Sequence, residues 1–218
     1  MLREDYLIRM AAQFAEVMAR VAGLARAEEY DPALAAIGQS FEGLFGLSAD
    51  LVRRLPAREL LAMLRLDATA PAWRERCAMV AALLEEEGRL ETARGRHDES
   101  RASRLKALDI LLEIAGGEEL PAPAPRIDDL VAALGEAGLT AGTRAGLVRH
   151  HEEAGAYARA EDALFAWLEA EPGSPAAIAA GLDLYARLLE QSDQALLAGD
   201  LPRGEVVAGL AELRAMSQ

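Results

Sequence analysis

Few side chains in this chain carry the chemistry of a catalytic or metal site, and their spacing is unhelpful to it. His150 and His151 are adjacent, so a helix turns them about 100° apart and denies them the i, i+4 spacing of a helical zinc pair. Glu153 stands three residues beyond His150, but no third ligand is evident, and His151 is expected to pack between helices. Cys77 follows Arg74 and Arg76, whose charges would favour a thiolate. It also begins the apolar run Cys77-Ala78-Met79-Val80 and has no histidine at a useful spacing, which predicts a buried structural thiol. Glu85, Glu86 and Glu87, with Glu91 a turn later, supply carboxylates, yet acid–base work needs opposed groups across a cleft. A solvated face or part of a binding groove is the reading for that run. Gly116-Gly117-Glu118-Glu119 lacks the Lys and Ser/Thr of a phosphate loop, and no G-x-S-x-G, C-x-x-C or H-E-x-x-H occurs. No catalytic residue, metal or cofactor is expected, and the chain reads as non-enzymatic.

Composition narrows the partners. The 218 residues are 52% hydrophobic and only 5% aromatic, with a net charge of -13. Ala and Leu far outnumber the β-branched residues, so helix is favoured over sheet throughout. The acidic excess repels phosphate backbones, which argues against nucleic acid and anionic membranes and for a basic or neutral partner. The longest clear apolar run, Cys77 to Leu84, is far short of a membrane span. MLREDYLIRM mixes both charge signs and does not read as a secretory signal. One cysteine forms no internal disulfide, which suits the cytoplasm. Lys106 is the only lysine, and asparagine is absent.

The elements that must hold any site are helices. Leu7, Met10, Phe14, Val17, Val21 and Leu24 alternate at three and four residues, drawing one apolar stripe. That stripe packs within the chain or, alternatively, forms the seam of a homodimer. Asp31-Pro32 reads as an N-cap and first helical residue, with a second helix to about Phe45 completing a hairpin. One or two short helices follow between Ser48 and Leu66, then a long helix opened by Pro71 and ending near Gly95. Another runs from about Asp98 to the Gly116-Gly117 stop. Leu120-Pro121-Ala122-Pro123-Ala124-Pro125 forbids helix and is the best internal boundary. It divides the chain into 1–118, a spacer at 119–125, and 126–218. Helices are expected thereafter at about Ile127–Leu134, Thr140–Ala154, Ala158–Glu171, Pro175–Gln191 and Arg203–Met216.

Gly155, Tyr157, Ala160, Ala163, Leu164, Trp167, Leu168 and Pro172 lie at the spacings of the turn and second helix of a tetratricopeptide repeat. On that frame a unit runs from Ala141 to Ser174, with Leu147 at a first-helix position and Val148 and His151 departing from the usual Gly and Tyr. Weaker echoes occupy Phe14–Leu47 and Ala81–Ile114, and Pro175 opens a further first helix. The segment Glu4-Asp5-Tyr6-Leu7-Ile8-Arg9-Met10 also resembles the start of a bacterial family of helical-repeat proteins that carries no assigned activity. The resemblance implies an all-α fold: stacked antiparallel hairpins, a tetratricopeptide-like right-handed α-solenoid with non-standard insertions, in which neighbours complete each other's apolar faces. Trp167, at a position where the repeat family keeps Ala, is expected to pack on the small residues beginning at Pro175.

The same resemblance implies a concave groove lined from first helices: Glu85, Glu86 and Arg89, then Arg149, Glu152 and Glu153, then Asp183 and Arg187. One lysine and no asparagine disfavour a clamp for a peptide's terminal carboxylate. The expected function is a cytoplasmic, non-catalytic scaffold or adaptor that holds a peptide or protein. The alternatives are a structural homodimer, its seam the Leu7–Leu24 stripe or the amphipathic last helix, and a small acidic chaperone for a client protein.

Overall fold

A computed structural model describes residues 2–66 and 73–216. The expected helix start at Pro71 lies outside them. Among the described residues there is no strand, and the chain is all-α. Twelve α-helices are described: α1 (Leu2–Arg26), α2 (Tyr30–Phe45), α3 (Ala49–Arg54), α4 (Ala57–Leu66), α5 (Trp73–Ala93), α6 (His97–Ala115), α7 (Ile127–Leu134), α8 (Ala141–Glu153), α9 (Tyr157–Ala170), α10 (Pro175–Glu190), α11 (Asp193–Ala198) and α12 (Arg203–Met216). No described helix is long and apolar enough to cross a membrane.

Local chemistry explains most of these boundaries. Ser48, Thr140, Ser174 and Ser192 each accept a hydrogen bond from the backbone N–H three residues on, capping α3, α8, α10 and α11. Such caps satisfy donors that have no partner inside the helix. Gly155 closes the α8–α9 hairpin with a φ of 71°, a left-handed conformation that a side chain disfavours. Two local expectations need correcting. Asp31 is not an N-cap: α2 begins one residue earlier, Glu29 makes no side-chain capping bond, and Asp31 sits in the first turn. Its carboxylate instead meets Arg94 at 2.6 Å. The short α11 was not anticipated between Gln191 and Gly199, because a six-residue helix has too few positions to show a period.

The chain divides into two compact units, one of Met1–Ile114 with Leu120–Leu134 and one of Ala115–Glu119 with Gly135–Gln218. In the first, α1 packs along α2, α2 also packs on α3 and α5, and α4 packs on α5. Met10, Phe14 and Val21 of the stripe are buried, and Leu7, Val17 and Leu24 are half-buried. The stripe is therefore largely covered inside the chain, where α1 packs along α2. In the second unit α8 packs on α9, and α10 packs on both and on α12. Trp167 is 2% exposed in one cluster with Ala177, Leu184, Tyr185 and Leu213. Close approach fixes this unit. A Cβ on Gly199 would meet the Tyr157 ring at 2.4 Å and the Gly155 carbonyl at 2.5 Å, so the turn after α11 sits directly on the α8–α9 hairpin.

Candidate functional site

The second unit carries an open groove between α8 and α10, with a volume of about 520 Å³. The helical period explains its lining. Ala145, Val148, Arg149, Glu152 and Glu153 recur at three and four residues along α8, and Ala180, Asp183, Arg187 and Leu188 do so along α10, so each set forms one stripe. Tyr157 and Gln191 complete the lining. Arg149, Glu152, Glu153, Asp183 and Arg187, named from the repeat frame, are all brought together here. The floor is apolar and the walls are charged, with three carboxylates against two guanidiniums.

Within the groove Arg187 donates to both oxygens of Glu152, from Nε at 2.6 Å and from Nη2 at 2.8 Å. This fork-to-fork pairing raises the pKa of Arg187. It ties α10 to α8. Asp183 is exposed and adds to the field that raises Arg187. Arg149 and Glu153 are exposed as well. His151 is buried and His150 is half-buried, their ring centroids 5.2 Å apart, and among the described residues no group of three His, Cys, Asp or Glu side chains could hold a metal.

Glu85, Glu86 and Arg89 fare differently. Glu86 pairs with Arg89 at 3.6 Å and Glu85 with Arg104 at 3.3 Å; burial raises the Glu85 pKa. None of the three lines a cavity of the first unit between α2, α3, α5 and α6, which has a volume of about 530 Å³. That cavity uses Glu87, Glu91 and Arg94 from α5, with Asp31, Leu34, Ala35 and Gly38 from α2, Arg53 from α3 and Glu99, Ala102 and Ser103 from α6. At about 100° per residue, Glu87, Glu91 and Arg94 fall on one face of α5, whereas Glu85 and Arg89 lie roughly opposite.

The glutamate run, read as a solvated face or part of a groove, is not a solvated face at Glu87 and Glu91, which line this cavity. Glu87 and Glu91 are 4% and 8% exposed. Glu87 accepts from Arg53 Nη2 at 2.8 Å, from Arg53 Nε at 3.1 Å and from Ser103 Oγ at 2.9 Å. Glu91 meets Arg94 Nη1 at 3.4 and 3.5 Å. The i, i+4 repeat of Glu87 and Glu91, with Arg94 three residues on, was the signal available for this set. Lys106 donates its Nζ hydrogens to the carbonyls of Val52 and Arg53 at the end of α3, where a cation complements exposed carbonyl dipoles; burial lowers its pKa. Cys77 is fully buried, and desolvation pushes its thiol up to about 12, so it is a structural thiol as expected.

A buried contact in the second unit gave no sequence signal. Tyr185 is fully buried and its hydroxyl donates to Glu161 Oε1 at 2.6 Å. Burial raises the pKa of both groups, and for Glu161 the nearby Glu205, Asp162 and Glu212 raise it further. Both atoms lie against Gly209 of α12.

These features define an all-helical protein whose distinctive surfaces are open, charge-lined grooves between helices. The chain belongs to a family whose model matches residues 1–218, described as a family of unknown function (DUF6483). Neither the curated proteins nor the solved structures contain a match to it.

Proposed function

We propose that the protein is a non-catalytic scaffold or adaptor of the cytoplasm, which holds a basic or neutral peptide in the α8–α10 groove. The single observation behind this reading is the convergence of five charged side chains from two helices around an apolar floor. Apolar contacts supply affinity there, and charges set orientation and exclude acidic ligands. The packing of α10 on both α8 and α9, and on α12, supports a tetratricopeptide-like reading of this unit, with α8–α9 and α10–α12 as two stacked hairpins. The chain's net charge of -13 favours association with cations and makes it weaken with salt.

A randomised peptide-display selection at low salt tests the reading. The expected result is enrichment of basic or neutral sequences that bind wild type and are lost on Ala180→Trp, which fills the groove without touching its charges. Failure to enrich any sequence, or binding indifferent to Ala180→Trp, would refute it.

A further inference from the structure

The cavity of the first unit is built differently from the α8–α10 groove. Glu87 and Glu91 are the two buried carboxylates among the described residues, and both line it. A buried ion pair is a weak source of stability, because apolar side chains of similar volume do as well or better. Two carboxylates kept inside one cavity of about 530 Å³ therefore call for another explanation, and that volume lies within the range of small-ligand sites.

The two are unequally satisfied. Glu87 is held by Arg53 and Ser103 through short bonds. Glu91 is hydrogen-bonded only by Arg94 Nη1, at 3.4 and 3.5 Å, the outer limit of a hydrogen bond, while Arg94 Nη2 reaches the other way to Asp31 at 2.6 Å and Arg53 attracts it from further off. Acceptor capacity is left on a carboxylate that faces the cavity. Glu99 on the rim makes no ion pair among the described residues. Four carboxylates thus face two guanidiniums, while Leu34, Ala35 and Ala102 supply apolar wall.

We propose that this cavity binds an aliphatic cation: the ammonium or guanidinium of a long basic chain, accepted by Glu91, with its methylenes along Leu34, Ala35 and Ala102. An alkyl stem ended by a charge matches a site that is apolar on one side and anionic on the other. The incoming cation takes over Glu91 from Arg94, which keeps Asp31. The Arg53–Glu87 pair stays intact. Such a chain arrives either on a partner's Arg or Lys or as a free polyamine, and the two sources share this chemistry.

Four probes at low salt separate the outcomes: acetyl-Ala-Arg-Ala-amide, acetyl-Ala-Lys-Ala-amide, spermidine, and acetyl-Ala-citrulline-Ala-amide as the uncharged control. Amide NMR titration of the full chain reads binding at Ala35, Gly38, Ala102 and Ser103. The expected result is saturable shifts at these residues with a charged probe, at least tenfold weaker with the citrulline peptide and on Glu91→Gln. Response to the charged peptides assigns the site to a partner's side chain, and response to spermidine alone assigns it to a free polyamine; either supports the cation site. Should Glu91→Gln disturb the fold, the surface pair Asp31→Asn with Glu99→Gln is expected to weaken binding severalfold. Equal binding of the citrulline peptide, no effect of either variant, or no saturable shift with any charged probe would overturn the proposal. The α8–α10 groove is a separate site, so the two readings fail independently.

Discussion

Removing Arg53 should harm the protein more than neutralising the carboxylate it serves, although Arg53 is the more exposed of the two. The side chains are 45% and 5% exposed for Arg53 and Glu87. Arg53→Ala strands a buried charge with the Ser103 hydroxyl, at 2.9 Å, as its one remaining hydrogen bond and the charge of Lys106 acting from further off. Losing one partner of a buried pair costs about 3–5 kcal/mol, and because water in the adjoining cavity reaches the carboxylate, the lower end applies, about 3 kcal/mol. Glu87→Gln keeps the volume and an acceptor for Ser103 while Arg53 turns to solvent, a loss of about 1 kcal/mol. In the double variant no charge is stranded, so its loss should be about 1–2 kcal/mol instead of the additive 4 or so, a coupling of about 2 kcal/mol. Urea unfolding followed by circular dichroism at 222 nm measures all four proteins. Arg53→Ala no more destabilising than Glu87→Gln, or simple additivity, would refute the reasoning.

Other contacts give further tests. A Cβ at Gly209 would lie 2.1 Å from the Tyr185 hydroxyl and 2.7 Å from Glu161 Oε1, so Gly209→Ala should cost about 2–3 kcal/mol by overpacking, with part recovered when Tyr185→Phe is added; thermal melts decide. Glu161 has a folded pKa above its ordinary 4.5, so the fold favours the protonated form, whose contribution is complete below 4.5 and lost as pH rises through the folded value. Glu161→Gln should therefore be more stable relative to wild type at pH 7 than at pH 4, and chemical denaturation at the two pH values that gave the opposite trend would contradict this. Cys77 should be inert to a thiol-reactive disulfide reagent in the native protein and react stoichiometrically in denaturant, because the fold both buries it and raises its thiol pKa.

The sequence determined the local level on its own. Caps at Ser48, Thr140 and Ser174, the Pro175 start, the Gly155 turn and the proline run after Leu120 act over a few residues, so the helices they bound could be read directly. The five charged residues of the α8–α10 lining were legible for the same reason: they sit on regular stripes, and the Tyr157-to-Trp167 spacing set their frame. Tertiary structure decided the rest. Which face of α5 turned inward depended on α2, α3 and α6 arriving around it; the i, i+4 spacing of Glu87 and Glu91 marks one face of the helix but does not say that this face is the enclosed one. Asp31 lies inside the first turn of α2 and pairs with Arg94, distant in sequence, a contact that no local pattern announces. The Tyr185–Glu161 contact against Gly209 joins α10, α9 and α12 through a single missing Cβ. Hydrophobic period and capping are properties of neighbouring residues; the pairing of buried charges and the closeness of backbones are properties of helices that meet only once the chain has folded.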